Sequence, residues 1–306
     1  MGQYAKRPRH KNLDNITRDE AKLIRKLRNN NISATEADAA IKSGSSGHKP
    51  YAPRKVEIGD KKFSYLYFSD PHFGHEEFKP EIFDKMLKLT KEYKPDFAVN
   101  AGDTLEGMSG RPGHIYELSH IGFQQQSKYA VDYLKEVPVK IFAIDGNHDE
   151  WYQKKNNGGI LVGEELGYRL NNWEYLGQME GNLNVDGIDI QLYHGADGTS
   201  YADSYKLQKL IESYSGSMKP HIVHSGHYHK HLAMHRRNIF GVESGTLMGQ
   251  SRYMRGKKIP AHMGFGFVTV YHDGKGSLDR VVHEFVPHYE KGKRRNYTQV
   301  NLPKKK

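Results

Sequence analysis

Phe63-Ser-Tyr-Leu-Tyr-Phe-Ser-Asp70-Pro-His72 is an apolar run that stops on a carboxylate and an imidazole, and the same punctuation recurs along the chain. Phe97–Asn100 runs into Gly102-Asp103-Thr-Leu-Glu106, and Val139–Ile144 into Asp145-Gly-Asn147-His148-Asp149. Residues 188–193 run into His194-Gly195, and residues 221–224 into Ser225-Gly-His227-Tyr-His229. Runs this short and this rich in β-branched and aromatic residues are strand-like. Helix-length segments at 79–94, with Ile82, Met86 and Leu89 on one face, and at 115–136 separate the first three, the pattern of stacked β-α units. Further strands are expected at 182–185, 231–235, 238–243, 266–271 and 279–286. In an α/β sheet, residues just beyond the carboxyl ends of strands converge on one crevice, so five separate polar bursts become one site.

That site contains only oxygen and nitrogen donors. The chain has no cysteine, which excludes thiolate metal sites, disulfides and a Cys nucleophile together. Carboxylate, imidazole and amide oxygen suit Mn²⁺, with Fe, Zn²⁺ or Mg²⁺ as alternatives, rather than a structural zinc. A glycine beside each burst lets the backbone turn sharply and approach an ion closely. Turn chemistry accounts for Gly, Asn and Asp at these places but not for five histidines. His224, His231 and His235 lie on the strands leading into and out of the last burst and are read as packing residues; His75, three residues past His72, is read as an outer hydrogen-bond partner of a ligand.

The order D-x-H, G-D-x-x-E, G-N-H-D, H-G and G-H-x-H resembles the calcineurin-like metallophosphoesterase superfamily over residues 63–286, with pieces similar to those of its DNA-repair nucleases. The resemblance implies a four-layer αββα sandwich of two mixed sheets flanked by helices, holding two divalent metal ions. Carried over position by position, it implies that Asp70, His72, Asp103 and His229 bind the first metal and that Asp103, Asn147, His194 and His227 bind the second, with Asp103 bridging. His148 would stay free of metal and face the substrate as the catalytic acid. Glu106 matches the acidic position that orients this histidine in the family, and Asp149 is the competing orienter. Two such cations, about 3.5–4 Å apart, clamp the attacking and departing oxygens of an in-line phosphoryl displacement.

Charge bears on the substrate. The net charge of the 306 residues is +10, but residues 1–55 carry 13 Lys/Arg against 5 Asp/Glu and residues 289–306 carry 7 against 1, so residues 56–288 are net acidic. Basic ends on an acidic body suit attachment to a polyanion. The expected organisation is a basic arm at 1–12, a helical segment at 13–43, a linker at 44–62, the phosphoesterase domain at 63–288 and a basic tail at 289–306. Within 13–43, Thr17-Arg-Asp-Glu20 and Ser33-Ala-Thr-Glu36 are capping boxes that open helices at 17–29 and 33–43, resembling the start of a helix-turn-helix unit. Ser43-Gly-Ser-Ser-Gly47, Pro50 and Pro53 then break the pattern where a reading helix should stand, so this segment suits DNA recognition less than docking of a protein partner or simple packing. Arg252, Arg255, Lys257 and Lys258, expected on a loop after the last ligand, are candidate phosphate contacts.

The function expected is hydrolysis of phosphodiesters in nucleic acid, DNA before RNA. A phosphatase or phosphodiesterase for small esters is the alternative, and a nucleic-acid-binding module with little catalysis is the second. The chain shows neither the roughly 20 consecutive apolar residues of a membrane span nor the apolar stretch of a secretory signal, so a cytoplasmic location without membrane contact is expected.

Overall fold

Alternation along one strand, β2 (Lys62–Phe68), builds the protein outward in both directions. In the computed structural model, which describes residues 53–154, 159–216 and 219–289, Phe63, Tyr65 and Tyr67 enter one core and Leu66 and Phe68 another. A strand buried on both faces must lie between two layers.

The first sheet also contains β3 (Phe97–Asn100), β4 (Ile141–Asp145), β5 (Trp173–Gln178), β11 (Gly264–His272) and β12 (Leu278–Pro287), in the order β12-β11-β2-β3-β4-β5. Strands β2 to β5 run parallel, and β11 and β12 add antiparallel at one edge. The second sheet contains β1 (Arg54–Val56), β6 (Glu180–Val185), β7 (Ile188–His194), β8 (Ile222–Gly226), β9 (His231–Arg236) and β10 (Ile239–Ser244), in the order β1-β6-β7-β8-β10-β9. It is mixed as well, with β7, β8 and β10 parallel. Tyr65, Tyr67, Phe97, Val99 and Ile144 of the first sheet pack on Val185, Ile190, Leu192, Ile222 and Val242 of the second. Each fully buried aliphatic side chain of this layer stabilises the fold by roughly 1.5–3 kcal/mol relative to exposure.

Helices close the outer faces. They are α1 (Pro80–Tyr93), α2 (Gly122–Leu134), the single turn α3 (Glu150–Gln153), α4 (Val162–Arg169), α5 (Tyr205–Ser213) and α6 (Arg252–Lys257). Ile82, Phe83 and Met86 of α1, Ala130 and Leu134 of α2, and Val162 and Leu166 of α4 cover the first sheet. Leu207 and Ile211 of α5 pack on Val223 and Ile239 of the second. This is the four-layer αββα arrangement. Pro80 opens α1, where its missing N–H costs nothing, and Lys94 ends it in a left-handed conformation.

Several expectations need correction. The segment 115–136 is not one helix: His114–Glu117 is a 3₁₀ turn, and α2 begins only at Gly122. The carbonyl of Gly74 accepts the N–H groups of Ser119 and His120, which draws the chain out of helical geometry between them. Arg54–Val56, inside the stretch read as a linker, pairs with β6 as an edge strand. The four basic residues at 252–258 stand on α6 and its cap rather than on a loop. The chain divides into two units, 1–49 and 50–306, and only the second contains described residues. The basic arm, the helices expected at 17–29 and 33–43, and the tail beyond Tyr289 lie outside the described residues. No described helix is long and apolar enough to cross a membrane.

Candidate metal centre

The two sheets aim their strand ends at one place. Asp70 and His72 follow β2, Asp103 and Glu106 follow β3, Asn147 and His148 follow β4, His194 closes β7, and His227 and His229 follow β8. All seven residues named as ligands meet there. Imidazole Nε2 of His72 lies 3.0 Å from Nε2 of His229, which is 3.4 Å from Asp70 Oδ1. Asp103 Oδ2 lies 3.1 Å from His194 Nε2 and 3.7 Å from His72 Nε2, so Asp103 stands between the two ligand groups. Asn147 Oδ1 lies 3.1 Å from His194 Nε2 and 2.8 Å from His227 Nδ1.

Outer partners fix the ring tautomers. His194 donates from Nδ1 to the carbonyl of Ala101 (2.7 Å), His227 from Nε2 to the carbonyl of Asp197 (2.9 Å), and His72 from Nδ1 to Glu106 Oε2 (2.7 Å). The other nitrogen of each ring therefore presents a lone pair to the centre. There it meets carboxylate oxygens, an amide oxygen or another lone pair. Asp70, Asp103 and Glu106 are at most 2% exposed, and their ion-pair partners among the described residues are histidines, without Lys or Arg. Buried anions and converging lone pairs of this kind are costly unless a cation lies among them. Asp70, His72 and His229 form one group able to hold a metal, and Asp103, His194 and His227 another. The residues fit a pair of hard or borderline divalent ions.

Electrostatics carries the same demand for positive charge. Burial disfavours the imidazolium of His194, yet Asp103 overrides it and raises its pKa to about 9. Burial likewise opposes a charged His148, and Glu106 and Asp103 outweigh it. His227, desolvated and facing His194, is lowered to about 4 and is neutral, as a ligand must be.

Backbone strain concentrates at the same place. Asp70, His72, Asp103, His227 and His229 have φ of 50°, 50°, 50°, 84° and 52°, in the left-handed region that non-glycine residues seldom adopt. Each such residue costs on the order of 1–3 kcal/mol, and strain of this kind gathers at functional sites. Gly146 allows the close approach, since a Cβ there would stand 2.2 Å from Asp103 Oδ1.

The expected orienters of His148 behave differently from the reading of the sequence. Asp149 accepts the backbone N–H groups of Thr104, Leu105 and Gly146 at 3.0, 2.8 and 2.9 Å, stapling the loop after β3 to the loop after β4. Glu106 spends its carboxylate on His72 and on His114 Nε2, both at 2.7 Å, with His148 Nδ1 at 3.4 Å. What holds His148 is the carbonyl of Glu106, which accepts from Nδ1 at 2.9 Å, together with Trp151, whose ring lies 3.9 Å away. His75 has no hydrogen bond to a ligand side chain; its Nδ1 accepts from the N–H of Glu77 and its Nε2 lies 3.7 Å from Glu117. His224 bonds Tyr65 between the sheets, His231 stacks on Phe285 and His235 lies against Phe240, all three as packing residues.

A cleft of about 360 Å³ opens over the centre. From α6 and its flanks it takes Ser251, Tyr253, Met254 and Ile259, whereas Arg252, Arg255, Lys257 and Lys258 are exposed and absent from its lining. The sequence reading missed Arg111, His114, Trp151 and Tyr253. Trp151, three residues past His148 and one of only two tryptophans, was the available signal; the others had none.

Comparison with known proteins identifies the family. The calcineurin-like phosphoesterase family matches residues 63–248. The DNA polymerase II small subunit of Archaeoglobus fulgidus is 26% identical over 261 residues, covering 71% of this chain and 53% of that protein. The protein of the same name from Halobacterium salinarum is 23% identical over 295 residues, covering 83% and 57%. The chain thus spans about half the length of the curated relatives it matches. A solved archaeal phosphodiesterase is 14% identical with a TM-score of 0.42, covering 72% of this chain and 99% of that one.

Proposed function

The chain belongs to the calcineurin-like phosphoesterase family, and on that premise we propose that it is a phosphodiesterase dependent on two divalent metal ions, acting on nucleic acid and on DNA in particular. The observation that carries this reading is the set of inward lone pairs and buried carboxylates at the floor of a cleft, whose ion-pair partners among the described residues are histidines rather than Lys or Arg. Asp70, His72, Asp103 and His229 would hold one ion and Asp103, Asn147, His194 and His227 the other, with Mn²⁺ favoured by the oxygen and nitrogen donors. When bound, the ions supply Lewis-acid charge to the phosphoryl oxygens.

The chain's own residues do the rest. Ala101, Glu106 and Asp197 hold the ligand rings in the tautomers that face inward. His148, tied back through Nδ1, has Nε2 left for the departing oxygen, where it delivers a proton; the carboxylates of Glu106 and Asp103 favour its protonated form. Trp151 limits the swing of this ring.

DNA as the substrate rests on the relatives, named as DNA polymerase subunits, and on the basic residues at 1–55 and 289–306. A subunit's name also points to a protein partner, for which residues 13–43 are the proposed contact. The test is a side-by-side assay of the Mn²⁺-loaded chain on single-stranded DNA, duplex DNA, RNA and an aryl phosphodiester. The expected result is DNA cleavage whose kcat/KM exceeds that of the aryl ester and falls steeply with salt. Hydrolysis of the aryl ester with DNA left intact would point to a small phosphate ester instead.

A further inference from the structure

The cleft is larger than a phosphate group needs, and away from the candidate ligands one part of its wall is apolar, with Trp151, Met248, Tyr253, Met254 and Ile259, beside polar residues such as Ser109, Arg111 and Glu117. An apolar, aromatic stretch of wall beside a phosphate-sized centre suits a substrate with a flat apolar part. Trp151 has the ring of His148 at 3.9 Å. Tyr253 is 48% exposed and stands on α6, whose start is capped by Ser251 Oγ, accepting the N–H of Met254, and whose Met254 is buried. Arg111 approaches the Tyr253 ring with its guanidinium 5.1 Å from the centroid. It is itself held by Glu117, whose Oε2 accepts from its Nη2 at 2.7 Å. Glu117 offsets its charge, which suits Arg111 to back the ring.

We infer that Tyr253, backed by Arg111, is a stacking subsite for the base of an unpaired nucleotide in a polynucleotide strand whose phosphate lies at the metal centre. This rests on the reading of the centre as a phosphodiesterase. A half-exposed aromatic ring pinned on a helix is the element on which single-stranded bases stack, and each such contact is worth about 1–3 kcal/mol by alanine substitution. A paired base keeps its faces inside the duplex stack and offers the ring nothing until it is unstacked. Selection by stacking also suits a cleft whose own side chains include Glu106, Glu117 and Asp197, where a charge-based grip on the strand would be weak.

The test measures binding of the full Mn²⁺-loaded chain to a short oligothymidylate with phosphorothioate linkages that resist cleavage, to the same oligomer made of abasic residues, and to thymidine monophosphate. The two oligomers carry equal phosphate charge, so the basic ends contribute equally to both. The expected result is that the oligothymidylate binds on the order of ten- to a hundredfold more tightly than its abasic counterpart. Tyr253→Ala should bring that ratio to near one, Tyr253→Trp should keep it, and Arg111→Ala should lower it part of the way. A ratio that survives in Tyr253→Ala, or thymidine monophosphate binding as tightly as the oligomer, would overturn the inference. Base-dependent binding with no phosphodiester cleavage in Mn²⁺ would break the proposed function and leave the subsite standing, while cleavage without a base-dependent ratio would do the reverse.

Discussion

His72 and His194 lie among carboxylates at the strand ends, whereas His224 and His283 lie between the sheets against aromatic rings, and burial has opposite outcomes for these two pairs. At the centre, desolvation is overridden by Asp70, Glu106 and Asp103, so that His72 is raised well above its ordinary range and His194 to about 9. Between the sheets no carboxylate offsets it. His224 Nε2 meets the Tyr65 hydroxyl at 2.9 Å and His283 Nε2 the Tyr67 hydroxyl at 2.7 Å, and their pKa values fall to about 3 and about 4. The lesson is that an excess of histidine, 18 in this chain, says nothing about function by itself. The carboxylates and the fixed outer acceptors beside a ring make it a ligand; phenols and apolar rings make it filling.

The sharpest way to break this contrast is to substitute one histidine or its carboxylate partner in each region. Asp103→Asn and His227→Ala should each cost at least one bound metal per chain, read by elemental analysis at saturating Mn²⁺, together with nearly all turnover. His224→Phe should keep both ions. Equal metal loss in His224→Phe and His227→Ala would erase the distinction between the regions.

A smaller effect is expected at the edge of the centre. His148→Ala should retain both ions and lose about 10²–10⁴ in rate, the usual contribution of a positioned acid. The deficit should shrink on an aryl ester, whose leaving group needs no proton. Equal losses on good and poor leaving groups would reassign His148 to orienting the phosphate.

The smallest effect concerns stability against pH. Since the folded pKa values of His224 and His283 lie below the unfolded value of about 6.5, the unfolded chain binds more protons between those limits. Their contribution is present in full above about pH 6.5 and is lost as pH falls toward about 4 and then 3. Denaturant unfolding of the metal-free chain should therefore show stability falling over that window, and His224→Phe should flatten the fall whatever its effect at neutral pH. An unchanged slope would mean that the inter-sheet histidines are already solvated.

Much of the centre was legible in the order of residues because its signals are local. A strand announces itself by a short run of apolar, β-branched and aromatic residues, and a ligand by its chemical type at the strand's end beside glycine. Phe63–Phe68 followed by Asp70 and His72 carries both signals within ten positions. Where local signals were weak the reading faltered. Trp173-Glu-Tyr-Leu-Gly-Gln178 mixes polar and apolar residues without a β-branched one, and it is a strand because β4 offers it an edge to pair with. The helix expected from residue 115 yields to hydrogen bonds that Ser119 and His120 donate to the carbonyl of Gly74, distant in the chain.

By itself, then, the sequence determined the run of strand, turn and ligand, the donor types and hence the kind of ion they suit, since each depends on neighbours in the chain and on side-chain chemistry. Tertiary structure alone decided that Glu106 serves His72 and His114, that Asp149 ties two loops together instead of orienting His148, and that Arg111 lies against Tyr253. Those partners belong to loops whose paths are set by how the two sheets close on each other, and no periodicity of 2 or 3.6 carries that information.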